Sequence, residues 1–177
     1  MRIYVDVFTN DEVLSDALDI NEEYEGSIMA VTSKLVNADD GGNIDIGNCN
    51  AFGGGDEEQG GANDVEKVNN IISSFSLEEY FGSKKDMMTL MKERIEQMRE
   101  RLKDNPTRLK AWEKGGQIEN FVKSVFSKFD DCKFFMGSSY SDEDPKEGMP
   151  IIAFWKNDSD TGETFHYFKD CYKITKV

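Results

Sequence analysis

Lys84-Lys85-Asp86-Met87-Met88-Thr89-Leu90-Met91-Lys92-Glu93-Arg94-Ile95-Glu96-Gln97-Met98-Arg99-Glu100-Arg101-Leu102 is the stretch in which the apolar period of the chain changes. Met87, Met91, Ile95, Met98 and Leu102 recur at steps of four, four, three and four residues, a spacing that stacks them on one face of a helix. Asn105-Pro106 then interrupts, with Asn as N-cap and Pro at the first position of a second helix. The inward face of that helix is Leu109, Trp112, Ile118, Phe121, Val122, Val125 and Phe129, with a weak point at Gly115-Gly116. Residues 83–129 therefore read as an inserted helical hairpin. The methionine row reads as core rather than as a binding groove.

The same stretch is the electrical exception of the chain. Residues 84–128 carry 12 of the 21 Lys and Arg but only 7 of the 35 Asp and Glu, so a segment of net charge +5 is set into a remainder of −19. A charge split of this kind bears on partners rather than on fold. The total of −14 argues against nucleic acid as the main partner.

On either side the pattern is that of strands. Residues 2–8 alternate, and Ser27-Ile28-Met29-Ala30-Val31-Thr32 with Leu35-Val36 is strand-like. Val68, Ile71, Ile72 and Phe75 read as a further buried strand. After Asp130-Asp131, Lys133-Phe134-Phe135-Met136, residues 149–155 and residues 164–168 continue the series between polar turns. Residues 37–64 differ, with eight Gly, many acids and only Ile44, Ile46 and Phe52 as large apolar side chains, so they read as a flexible acidic loop. The reading is one α+β domain over 1–177: a small twisted mixed β-sheet core from 1–36, 65–82 and 130–177, with the loop and hairpin inserted. With 38% hydrophobic residues, twelve Phe and six Tyr, a real core is available.

The groups that catalysis normally requires are missing. The single histidine, His166, lies between Phe165 and Tyr167 in an alternating strand and reads as a structural or surface residue rather than a catalytic one. One His with Cys49, Cys132 and Cys171 far apart cannot make the usual zinc ligand pairs, and an odd, scattered set fits reduced thiols of a cytoplasmic protein. The Gly-rich run 53–61 lacks the Lys-Ser/Thr of a phosphate loop and carries three acids. Acidic clusters at Asp39-Asp40, Asp45, Asp56-Glu57-Glu58 and Asp142-Glu143-Asp144 offer oxygen ligands without the spacing of an EF-hand, which supports at most weak calcium binding. No required cofactor is expected. Residues 1–8 alternate and then turn acidic, so they lack the long apolar stretch of a signal peptide, and no window approaches the roughly 20 apolar residues of a membrane span.

Four motifs carry a resemblance to a known family. Ile3-Tyr4-x-Asp6-x-x-x-x-Asp11-Glu12-x-x-Ser15-Asp16, Gly42-Asn43-Ile44-Asp45-Ile46-Gly47-Asn48, Phe129-x-x-x-x-Phe134-Phe135-Met136-Gly137 and Tyr167-Phe168-Lys169-Asp170 resemble, in order and spacing, the translationally controlled tumour protein family, also called fortilin. The chain looks like a divergent member. Its first loop reads Gly47-Asn48-Cys49-Asn50-Ala51-Phe52 where the family has Gly-Gly-Asn-x-Ser-Ala-Glu, and Ser138 stands where the family has a glutamate.

The resemblance implies a tent-like β-core with a projecting helical hairpin and a mobile acidic loop, similar to a zinc-containing Rab GTPase chaperone whose cysteine pairs are absent here. It also implies binding roles: calcium, with Asp45 as candidate ligand; tubulin and microtubules; a small GTPase in growth signalling; and apoptotic regulators. Carried onto this chain, Glu12 with Asp11 and Asp16 is the implied GTPase contact. A carboxylate there can compete with a nucleotide for its magnesium. The cations Lys84, Lys85, Lys92, Arg94, Arg99, Arg101, Lys103, Arg108 and Lys110 are the implied tubulin contact. A non-enzymatic regulator is the leading expectation, with GTPase regulation and a chaperone-like or anti-apoptotic role as the alternatives.

Overall fold

The computed structural model describes residues 1–38 and 66–177. Of the segment 37–64 read above as a flexible loop, residues 39–64, with Asp45 and Cys49, lie outside the described residues, while Asn37 ends a strand.

Eleven strands and four α-helices are described, in the order β1 Arg2–Asp6, β2 Glu12–Ser15, β3 Asn21–Glu23, β4 Ile28–Thr32, β5 Leu35–Asn37, β6 Lys67–Asn69, α1 Asn70–Phe75, β7 Glu78–Tyr80, α2 Lys84–Arg101, α3 Pro106–Trp112, α4 Gln117–Ser127, β8 Lys133–Met136, β9 Ile151–Phe154, β10 Thr164–Phe168 and β11 Tyr172–Lys176. The architecture is α+β. The strands form three sheets, ordered β11-β1-β2, β3-β4-β10-β9-β8-β7 and β5-β6. Every pairing among the described strands is antiparallel, so the mixed sheet of the sequence reading resolves into three antiparallel ones.

Long-range pairing closes the molecule. β1 runs against β11 with Arg2 opposite Lys176, and β4 against β10 with Ile28 opposite Phe168. In the middle of the six-stranded sheet all five residues of β10 and the first four of β4 are buried, because strands or helices cover both their faces. Such strands read as continuous apolar runs rather than alternating ones.

The helices start where the sequence supplies caps. At α2, Ser83 Oγ accepts the Asp86 N–H while the Asp86 carboxylate accepts the Ser83 N–H, a reciprocal capping box. Asn105 caps α3 ahead of Pro106. The hairpin has three helices rather than two, since α3 stops at Trp112 and α4 restarts after Gly116. Met87, Leu90, Met91, Met98, Trp112, Ile118, Phe121 and Val125 all join the main core, so the helices pack on the β-body.

One expectation fails. Ile71, Ile72 and Phe75 do not lie in a strand: Asn69 Oδ1 accepts the N–H groups of Ile71 and Ile72 and opens helix α1, which ends at left-handed Ser76 with φ 53°. The cap bonds and the i, i+4 spacing of Ile71 and Phe75 outweigh their β-branched and aromatic character.

Candidate functional site

The acidic turn between β1 and β2 separates three carboxylates that the sequence had grouped. Asp11 is buried, and its side chain accepts the Ser139 N–H at 3.1 Å and the Ser139 hydroxyl at 2.5 Å. Asp16 accepts the Arg2 N–H at 3.0 Å. Glu12, the first residue of β2, is exposed and its carboxylate has no hydrogen-bond or ion-pair partner among the described residues. Asp11 thus builds the turn, Asp16 closes the far end of the β1–β2 pair, and Glu12 is the carboxylate presented beside the turn.

The turn rests on the segment after β8. A Cβ on Gly137 would meet Asp11 Oδ2 at 2.5 Å and Asp11 Cβ at 2.6 Å, so only glycine leaves room for the Asp11 side chain here. Ser138 lies between the two residues that touch Asp11. The family's glutamate position therefore adjoins the turn that presents Glu12, and the first and third motifs of the resemblance meet there.

A second joint ties the turn to the helices. Asp6 is buried and accepts the N–H groups of Phe8 at 2.6 Å and Met149 at 2.9 Å. Burial raises its pKa, against the lowering pull of those bonds and of Arg94. Arg94 donates from Nε to Gly148 O at 3.0 Å and from Nη2 to Glu147 O at 2.6 Å, and its guanidinium lies 4.8 Å from the Phe8 ring.

The nine cations expected to meet an acidic partner divide in the same way. Arg94 is buried in this joint. Arg99 donates to Trp112 O at 2.7 Å, Arg108 is paired with Asp170, and Lys103 pairs with Glu100. The Arg101 guanidinium sits 5.9 Å from the Phe8 ring. Lys84, Lys85, Lys92 and Lys110 are exposed, with no ion-pair partner among the described residues.

Helical geometry aligns three of these. At 100° per residue, Lys84, Lys85 and Lys92 fall within an arc of about 100° on α2, with Met88 among them. Asp86, Glu93, Glu96 and Glu100 occupy the adjoining arc, and Met87, Leu90, Met91, Arg94 and Met98 the buried one. The exposed surface of the helix is thus split lengthwise into a lysine stripe and an acidic stripe. The one-dimensional reading counted the charges but did not separate them.

His166 is fully buried, with Nδ1 3.1 Å from Ile152 O. Desolvation lowers its pKa to about 4, so the ring is neutral and Nδ1 donates. Cys171 is fully buried, and burial raises its thiol pKa well above the ordinary value, which removes it from surface pairing with a second chain. Among the described residues no group of three His, Cys, Asp or Glu is placed to hold a metal, and no helix is long and apolar enough to cross a membrane.

Comparisons with known proteins agree with this arrangement. The family model described as translationally controlled tumour protein matches residues 1–173. The translationally controlled tumour protein homologue of Saccharomyces cerevisiae is 38% identical over 168 residues, covering 89% of this chain and 96% of its own, and that of Kluyveromyces lactis is 37% identical over 163 residues, covering 91% of each. The solved structure of the Schizosaccharomyces pombe translationally controlled tumour-associated protein superposes with a TM-score of 0.73 at 25% identity over 100% of both chains. The Caenorhabditis elegans structure, at 22% identity and a TM-score of 0.60, shares the fold. With both motif-bearing ends joined through β1, β8, β10 and β11 and the family model spanning nearly the whole length, this chain belongs to the translationally controlled tumour protein family.

Proposed function

We propose that the protein is a non-enzymatic regulator of the translationally controlled tumour protein type that engages tubulin through the lysine stripe of α2. The observation carrying this reading is the separation of charge on that helix. Three exposed lysines share one arc while three of the other proposed cations, Arg94, Arg99 and Arg108, are bonded within the fold. A stripe of unpaired ammonium groups favours encounter with an acidic polypeptide and weakens with salt. Microtubule co-sedimentation tests it: the triple variant Lys84→Glu, Lys85→Glu, Lys92→Glu loses binding while its circular dichroism and melting stay those of the parent. Undiminished co-sedimentation of that variant would sink the reading.

A second reading has its own support. Glu12 is the one unpartnered carboxylate of an otherwise internally bonded turn, which suits contact with a small GTPase near its nucleotide-bound magnesium. Release of a fluorescent guanine nucleotide from a panel of small GTPases, with and without Glu12→Ala, tests this. Equal rates with parent and variant across the panel would remove Glu12 from the role.

A further inference from the structure

At the mouth of α2 the lysine stripe continues into apolar surface. Phe81, in the link between β7 and the capping residue Ser83, is 82% exposed, and Met88, one turn into the helix, is 38% exposed. Lys84 and Lys85 lie between them in sequence. Lys92 is about 12 Å further along the axis from Lys84 at 1.5 Å per residue. Lys84 also borders a cleft of about 490 Å³ lined by Phe126, Lys128 and Phe129, with the acids Asp130 and Asp131. The nearest acid in sequence, Asp86, is turned back onto the Ser83 N–H.

An acidic polypeptide would satisfy the lysines but gives no reason for a large aromatic side chain held out in water. An exposed aromatic group at the start of the helix and an exposed thioether on the same arc as the ammonium groups match a surface with negative headgroups over an apolar layer. We propose that this end of α2 is a peripheral contact for anionic lipid bilayers, with Phe81 and Met88 entering the headgroup boundary and Lys84, Lys85 and Lys92 facing the phosphates and carboxylates. The whole chain carries −14, and Asp130 and Asp131 border the same cleft as Lys84, so attachment is weak, reversible and salt-dependent. The contact shares its lysines with the tubulin reading but stands or falls separately, since tubulin binding makes no demand on Phe81.

The test is co-sedimentation of the full chain with vesicles of phosphatidylcholine and phosphatidylserine, against phosphatidylcholine alone. Binding is expected only to the anionic vesicles, falling about fivefold for Lys84→Gln or Lys85→Gln and about tenfold for Phe81→Ser. Phe81→Ser leaves microtubule co-sedimentation unchanged. Because Phe81 is outside the core, the variant keeps the melting temperature of the parent. Equal binding to neutral vesicles, or anionic binding indifferent to Phe81→Ser, overturns the proposal. So does displacement by a soluble poly-glutamate peptide combined with insensitivity to Phe81→Ser, which would assign the patch to acidic polypeptides.

Discussion

Asp170 holds Arg108 by two parallel hydrogen bonds, Nε to Oδ1 at 2.9 Å and Nη2 to Oδ2 at 2.6 Å, and the same Oδ2 accepts the Trp112 indole N–H at 2.9 Å. The carboxylate belongs to the short turn between β10 and β11, and both donors come from α3. One residue therefore locks the helices to the C-terminal strands. The paired carboxylate holds the guanidinium pKa above its ordinary value.

The side chains of Arg108 and Asp170 are 30% and 12% exposed, so the pair is shielded from water on most sides. Arg108→Ala is expected to lower unfolding free energy by about 2 kcal/mol, as is Asp170→Asn. In the double variant the losses should add to less than their sum, which urea titration of the four proteins measures. Full additivity would show that the two groups do not act together.

Gly137→Ala is expected to destabilise by about 2 kcal/mol, because the added methyl meets Asp11, whose position Ser139 fixes. Asp11→Ala should be destabilising as well, by removing the acceptor of both Ser139 donors. Glu12→Ala, at an exposed residue, should leave the melting temperature within a degree or so.

Burial of His166 gives a defined pH dependence. The ring stacks 4.4 Å from Phe154, whose ring also carries the Lys128 ammonium at 3.6 Å, while Glu23 Oε1 lies 3.9 Å from Nε2 and Glu23 also pairs with Lys156. The folded pKa, about 4, is below the unfolded value of 6.5, so the unfolded chain binds the extra proton first. Its contribution is complete above pH 6.5 and is lost as pH falls toward 4, amounting to roughly 3 kcal/mol at the lower end. Urea midpoints across that window should drop for the parent protein, and the drop should be smaller in His166→Gln. Equal slopes for the two would remove His166 as the cause.

Thiol labelling should follow burial. Cys132 is half-buried, and desolvation pushes its thiol up to about 11, so it reacts slowly, whereas Cys171 reacts only on unfolding. Peptide mapping after alkylation in native buffer distinguishes them. Rapid native labelling of Cys171 would contradict the packing around β11.

The sequence by itself determined the α+β class, the helical faces of α2 and α4, the caps at Asn105 and Pro106, and the core placement of Met87, Met91 and Met98. These follow from spacing within one element, where 3.6-residue and two-residue periods can be read without knowing the neighbours. The four family motifs were legible for the same reason. Short apolar runs were not: Ile71 and Phe75 fit a strand or a helix equally until Asn69 is seen capping one. Only the tertiary structure decided which charges face outward. Asp11 meets Ser139 across 128 residues, Arg94 meets Gly148 across 54, and Arg108 meets Asp170 across 62. A charged side chain looks the same in sequence whether it is solvated or internally bonded. Its availability to a partner depends on what the fold brings against it, and among the candidates read from the sequence that left Glu12, Lys110 and the lysine stripe of α2 exposed without an ion-pair partner among the described residues.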